Sequence, residues 1–228
     1  MDIKSDLFES IADEKKRRIM EAALVEFAAK GYAGATTRNI TNAAGISSGL
    51  LFYYFKDKST LMIEVARHCR DFMVNTIFKE LDDGLDFFDM LKQTGMIKVR
   101  IAVEYPEVYR LLLDDRVFNA PEFKRENNAM IQEFSKKYHF AGNADSGTVG
   151  SGAAGNSVDE GIQDRVIFKE GVDADLVKEI AINALEGISF NLTLAYGSGR
   201  LTIDDAMNIA IKKADDYIEF FRRNFTKC

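Results

Sequence analysis

Hydroxyl and basic side chains concentrate in one segment, Thr36–Lys58. The pairs Thr36-Thr37 and Ser47-Ser48 each stand where a short helix can begin, and the aromatic run "FYYF" at 52–55 is followed closely by Lys58. A helix N-terminus offers free backbone N–H groups and the positive end of a dipole, and a hydroxyl beside it adds a hydrogen bond. The segment therefore has the chemistry to bind phosphate. A buried turn with solvated ends is the alternative interpretation.

Other side chains of this segment could distinguish base pairs. Arg38 can bind guanine through two hydrogen bonds, Ser48 can bond to a base edge, and Leu50 can contact a thymine methyl group. Gly49 would let the helix backbone approach closely. Phosphate contacts, by contrast, fix the register of a protein on a duplex without reading its sequence. The predicted DNA-binding residues are Thr36, Thr37, Arg38, Ser47, Ser48, Gly49, Leu50, Tyr53, Tyr54 and Lys58.

The charge is distributed unevenly along the 228 residues, whose formal net charge is -6. Residues 15–58 carry eight basic and three acidic side chains, a net charge of +5 that leaves -11 on the rest. A basic patch on an acidic body is typical of a surface that docks on nucleic acid. A solvated helix face is the alternative.

Cap residues predict three helices around these side chains. Asp13 can cap a helix from about Glu14 to Lys30 that ends at Gly31. Thr36 can cap a second helix over 37–44, which Gly45 stops, and Ser47 a third over 48–55. Three short helices with glycine-containing connections have the size of a helix-turn-helix unit.

The rest of the chain also predicts helices, so the expected class is all-α. The two prolines, Pro106 and Pro121, both stand where a helix can begin. We expect a helix-turn-helix domain over 1–56 and a helical effector-binding and dimerisation domain over 57–228. A loop rich in glycine and serine, predicted to be flexible, covers 141–161. The expected helices are 57–81, 85–104, 106–118, 121–140, 173–196 and 202–225.

The last two helices carry wide apolar surfaces, which predict a partner. Leu176, Ile180 and Leu185 belong to the first, and Ala210, Ile218 and Phe221 to the second. Such helices could form a four-helix bundle with the same pair of another subunit, which predicts a homodimer. Packing within one subunit is the alternative.

The N-terminal segment resembles the DNA-binding domain of TetR-family transcriptional repressors. The resemblance covers Arg18–Leu61 and includes "FAAKGY" at 27–32, "TTR" at 36–38, "AGIS" at 44–47 and "YYF" at 53–55. Over the remaining three-quarters of the chain it is architectural only. Two positions depart from the family pattern. Phe52 replaces a tyrosine that reaches phosphate, so it loses that contact and could lie in the core, and Thr41 replaces an alanine.

The resemblance implies a function and residue roles. It implies a repressor that a small-molecule effector releases from a palindromic DNA operator by shifting the fourth helix and the spacing of the two reading heads. Thr37, Tyr53, Tyr54 and Lys58 correspond to backbone contacts. The base-reading positions correspond to Arg38, Ser48, Gly49 and Leu50.

An effector pocket is expected between Asp86 and Tyr196, where aromatic residues and methionines are frequent. Pockets for small molecules are mostly apolar, although the same residues could be plain core. The candidate effector-binding residues are Met96, Tyr105, Tyr109, Phe118, Phe123, Met130, Phe134, Phe168 and Phe190.

Other classes of protein have little support. The two histidines, His68 and His139, do not form a metal or catalytic motif, so we expect no enzyme, no cofactor and no metal site. The sequence shows neither a secretory signal nor an apolar run of roughly 20 residues, which favours a cytoplasmic protein without a membrane anchor. A helical protein-interaction module with a helix-turn-helix that does not bind DNA is the alternative function.

Overall fold

The computed structural model describes residues 7–8, 10–137, 166–197 and 200–227. Within these ranges the regular elements are helices, and extended pairing is confined to an isolated antiparallel bridge between Phe168 and Thr226. The predicted all-α class is confirmed. None of the described helices is both long and apolar enough to cross a membrane. The helices are α1 (Glu14–Gly34), α2 (Thr37–Ala44), α3 (Ser48–Tyr54), α4 (Lys58–Glu80), α5 (Phe87–Glu104), α6 (Pro106–Leu112), α7 (Asp115–Phe118), α8 (Pro121–Lys137), α9 (Ala174–Gly197) and α10 (Ile203–Phe225).

The chain packs as two compact units. The first unit comprises the residues up to Thr76 together with Glu104–Lys124, and the second comprises Ile77–Val103 together with the residues from Arg125 onwards. The packing boundary therefore lies inside α4. The functional division between residues 56 and 57 stays a prediction. The segment 141–161 lies outside the described residues.

Side-chain caps start the three N-terminal helices as predicted. The carboxylate of Asp13 accepts from backbone N–H groups at the start of α1, and Thr36 and Ser47 do the same for α2 and α3. Gly45 ends α2 with φ 65°, a left-handed conformation that glycine adopts without steric cost. Gly31 ends the first regular stretch of α1 as predicted, because its φ of 62° and ψ of 178° are not helical. A further helical turn, to Gly34, follows this kink.

The first unit has a core built from α1 to α4 and the α6–α7 segment. Ile19, Phe27, Ile40 and Leu51 are almost completely buried there. Leu7 and Phe8, which precede α1, also enter this core. The burial of these two residues was not predicted from the polar and acidic residues around them in the sequence.

The second unit has a separate core, to which α5, α9 and α10 contribute. Thr202 and Asp205 form a reciprocal capping box at the start of α10. Near the other end of this helix, Arg222 donates to both oxygens of Asp86 at 2.8 and 2.6 Å. The fold between Pro106 and Phe118 differs from the single helix predicted, because Asp114 caps a new short helix, α7.

Candidate nucleic-acid interface

Helix α3 presents one buried and one fully exposed face. Leu51 is its buried residue, and Gly49 and Tyr53 lie two positions before and after it. Since successive helical residues are rotated by about 100°, these two positions point away from the core. Tyr53 is 80% exposed, and Phe52 beside it is 49% exposed. The possibility that Phe52 lies in the core is therefore wrong, because its position on the helix leaves the residue exposed.

The hydroxyl residues at the helix starts remain able to donate. Thr36 Oγ1 accepts from the backbone N–H of Asn39 at 3.2 Å, and Ser47 Oγ accepts from that of Leu50 at 3.3 Å. A hydroxyl that accepts a hydrogen bond still has its own proton, and phosphate oxygens are acceptors. Both of these side chains are exposed, as is Ser48. This end of the unit thus offers hydroxyl protons beside the two helix starts.

Glu26 fastens the start of α2 to α1. Its Oε1 accepts from the backbone N–H of Thr36 at 3.1 Å and from Asn39 Nδ2 at 2.8 Å, and Lys30 Nζ lies 2.9 Å from Oε2. Burial raises the pKa of the Glu26 carboxyl, but the hydrogen bonds from Asn39, Lys30 and Thr36 outweigh it, and the pKa is lowered overall. The ionised carboxylate therefore holds the beginning of α2 in place.

Replacement of Glu26 by alanine is expected to lower the free energy of unfolding by about 1–3 kcal/mol at neutral pH, since it removes the hydrogen bonds that the charged carboxylate accepts. The lowered pKa gives stability that is present above the ordinary glutamate pKa and is lost as pH falls through the folded-state value. Denaturant unfolding at several pH values measures both effects. The Glu26→Ala difference should shrink in acid, whereas Glu14→Gln, at an exposed site in the same helix, should change little. A difference that persists undiminished in acid would contradict the assignment.

Lys58 joins the start of α4 to the end of α1. Its Nζ donates to the carbonyl oxygens of Tyr32 and Ala35 at 2.7 and 2.9 Å and lies 4.2 Å from the centre of the Tyr32 ring. The Arg116 guanidinium lies 4.0 Å from the same ring. An ammonium group has three protons, so one remains for a phosphate oxygen. Lys58 is thus a structural residue that can also contact DNA.

Tyr54 makes a contact that the sequence did not predict. Its hydroxyl donates to Asp13 Oδ2 at 2.5 Å, across 41 positions of sequence. This hydrogen bond is the main reason that the pKa of Asp13 is lowered and that of Tyr54 is raised. A direct hydrogen bond therefore joins Tyr54 to the residue that caps α1.

Arg38 is the predicted base-reading residue with the greatest reach. It is exposed on α2, and within the described ranges its guanidinium has no ion-pair or hydrogen-bond partner. Thr37 and Leu50 are half-buried, and Gly49 is exposed. All ten predicted DNA-binding residues belong to the first unit. Their individual roles stay predictions.

The candidate effector residues are divided between the two units. Tyr105, Tyr109, Phe118 and Phe123 belong to the first unit, and Met96, Met130, Phe168 and Phe190 to the second. Phe123 is buried in a core, whereas Phe118 and Phe190 are exposed by 46% and 43%. The side chain of Phe134 lies outside the described residues. The residues that bind an effector therefore stay a prediction.

The second unit carries an open apolar groove between α9 and α10. Its volume is about 460 Å³. Leu176, Ile180 and Phe220 on its walls are 51%, 49% and 55% exposed. Large apolar side chains left in water on adjacent helices are typical of a protein interface. The groove is lined by Gly171, Val172, Asp173, Leu176, Val177, Ile180, Phe220, Phe221 and Phe225.

Comparison with known proteins identifies the class. The three-helix arrangement with an exposed third helix is a helix-turn-helix domain, and residues 19–65 match the sequence profile described as "Bacterial regulatory proteins, tetR family". The chain is 27% identical to the HTH-type transcriptional repressor AcnR of Corynebacterium efficiens over 194 residues, 81% of this chain and 92% of AcnR. It is 31% identical to the HTH-type transcriptional regulator RutR of Escherichia coli K12 over 125 residues, 53% of this chain and 58% of RutR.

The overall fold agrees with this class. A transcriptional regulator from Rhodococcus sp. Rha1, 14% identical, superimposes with a TM-score of 0.61 and covers 92% of this chain and 97% of its own. The chain is a DNA-binding transcriptional regulator, and its relatives are regulators rather than enzymes. Over residues 19–65 the chain matches the TetR family. Members of this family bind DNA operators and small-molecule effectors and act as dimers.

Proposed function

We propose that this regulator is a repressor that binds a palindromic operator as a homodimer and is released by a small-molecule effector. The exposed face of α3 is the observation that supports DNA reading most directly. It places Gly49 and Tyr53 outward, beside the hydroxyl residues that begin α2 and α3. In this proposal the functional DNA-binding domain is 1–56, the remainder binds effector and partner, and the protein acts in the cytoplasm.

The proposed contacts divide into two groups. Phosphate oxygens are bound by the helix starts and by donors further along: Thr36, Thr37, Ser47, Tyr53, Tyr54 and Lys58. Base edges are read by Arg38, Ser48, Gly49 and Leu50. Phosphate contacts would set the register and base contacts the sequence preference. The exposure of Tyr53, Arg38 and Ser48 supports this division.

The proposed dimer forms through α9 and α10. The half-exposed Leu176, Ile180 and Phe220 support this surface, because burying them against a second copy removes apolar area from water. A two-fold dimer would present two reading heads at a fixed separation. An effector that binds better to a state with another separation would then lower operator affinity.

Selection of bound fragments from random DNA duplexes tests the proposal. We expect enrichment of an inverted repeat whose half-sites match the two heads. Adding candidate effectors to the selected complex in a band-shift titration then tests release. Failure to enrich any sequence, with no retention on DNA-cellulose at low salt, would favour the protein-interaction module instead. Enrichment of a single, non-repeated site would contradict the dimer.

A further inference from the structure

The contact between Asp13 and Tyr54 uses the only proton that the phenol can donate. The two carboxylate oxygens of Asp13 accept hydrogen bonds from different donors. Oδ1 accepts from the backbone N–H groups of Lys15 and Lys16 at 2.9 and 3.2 Å and so caps α1, while Oδ2 accepts the Tyr54 hydroxyl at 2.5 Å. A DNA phosphate has no proton to offer at neutral pH and needs a donor. Tyr54 therefore cannot donate to Asp13 and to a phosphate at once.

The same contact places a negative charge beside the proposed phosphate position. Asp13 is exposed, and its carboxyl has a lowered pKa, so it stays ionised throughout the neutral range. Of the neighbouring cations, Lys15 acts on this carboxyl through its charge, whereas Lys16 Nζ lies 3.7 Å from Glu64. A phosphate that approaches the Tyr54 oxygen would meet a carboxylate at hydrogen-bond distance from it, and like charges at that separation repel.

We propose that Asp13 is a positioning residue that holds the Tyr54 hydroxyl away from DNA phosphate and thereby limits the affinity of the regulator for duplex DNA. The inference rests on the proposed DNA binding through α3. It adds a residue to the interface that contacts no DNA itself. It also means that the contact of Tyr54 with phosphate costs free energy, because the hydrogen bond to Asp13 must break before the hydrogen bond to phosphate forms.

Replacing Asp13 by asparagine separates these effects from helix capping. Asparagine caps a helix as well as aspartate does. Its carbonyl oxygen can serve the N–H groups of α1, and its amide N–H can donate to the Tyr54 oxygen, which leaves the phenol proton free. We expect Asp13→Asn to bind duplex DNA about three- to tenfold more tightly, the range that one net hydrogen bond provides. Fluorescence anisotropy with operator and unrelated duplexes measures it, and the gain should be similar for both.

Two further variants make the test specific. Glu14→Gln removes a charge from the next residue, whose carboxylate bonds to Arg17 and not to Tyr54. Its gain should be clearly smaller than that of Asp13→Asn. In a Tyr54→Phe background the Asp13→Asn gain should fall to the Glu14→Gln level. The proposal would be overturned if Asp13→Asn and Glu14→Gln raised the affinity for DNA equally. It would also be overturned if the effect of Asp13→Asn persisted undiminished in the Tyr54→Phe background, or if Asp13→Asn bound DNA more weakly than the wild type.

A measurement without DNA keeps the inference distinguishable from the proposed function. The Tyr54 pKa, followed by NMR of ring-labelled tyrosine, should fall in Asp13→Asn and stay unchanged in Glu14→Gln. An unchanged value in Asp13→Asn would refute the contact itself. If the Tyr54 pKa falls in Asp13→Asn but the wild-type protein binds no duplex, the contact stands and the proposed DNA reading is refuted instead.

Discussion

Replacing Ile180 by glutamate is expected to convert the protein to monomers and to weaken operator binding at least about hundredfold. A dimer gains this much affinity because, once one DNA-binding domain is bound, the other meets its half-site at a high effective concentration. Ile180 lies one helical turn after Leu176 on the exposed side of α9, near Phe220 of α10 in the same groove. In a dimer the new carboxylate would be buried without a partner, which costs more than the apolar contact supplies. Sedimentation measures the mass, and anisotropy with a palindromic duplex measures the affinity.

The control for this experiment is Lys212→Gln. It changes the net charge by the same amount at an exposed position of α10 that does not line the groove. It should remain dimeric and bind normally. Binding of Ile180→Glu to a duplex with a single half-site should match that of the wild type, since each head is untouched. A dimeric Ile180→Glu protein would show that another surface joins the subunits.

The helix boundaries could be predicted because their signals are local. Asp13, Thr36 and Ser47 each cap the helix that follows, and a cap needs only the N–H groups two or three residues ahead. Gly45 likewise ends α2 through its own backbone conformation. Gly31 breaks the regular geometry of α1 in the same local way, with φ 62°. The further helical turn to Gly34 beyond it was not predicted.

The contacts that fasten the interface could not be predicted, because they join residues far apart in sequence. Glu26 reaches Thr36 and Asn39 across a turn, and Tyr54 reaches Asp13 across the whole helix-turn-helix. Helical periodicity places a residue on a face but does not say which element that face meets. The outward position of Phe52 was missed for a related reason. An aromatic side chain suggests burial, but Phe52 lies about 100° around the helix from the buried Leu51 and is exposed for that reason.

Substitution of Arg38 tests directly whether the protein recognises the base sequence of DNA. Arg38→Ala is expected to weaken binding to the selected operator by about ten- to hundredfold per half-site and to remove the preference at one base pair, since a bidentate guanine contact supplies about 1–3 kcal/mol of discrimination. The exposed guanidinium, which has no partner in the described part of the chain, supports this role. Repeating the duplex selection with the variant, alongside anisotropy, measures both effects.

Arg38→Lys distinguishes base reading from simple charge. Lysine keeps the positive charge but lacks the planar pair of donors that fits guanine. We expect the lysine variant to bind unrelated duplexes as the wild type does, with the same dependence on salt, and to lose most of the preference at that base pair. Lys56→Ala, which removes an exposed cation from the same segment, should instead weaken binding to all duplexes alike. Equal losses for operator and unrelated duplexes in Arg38→Ala would assign Arg38 to phosphate, because a phosphate contact contributes affinity that does not depend on sequence.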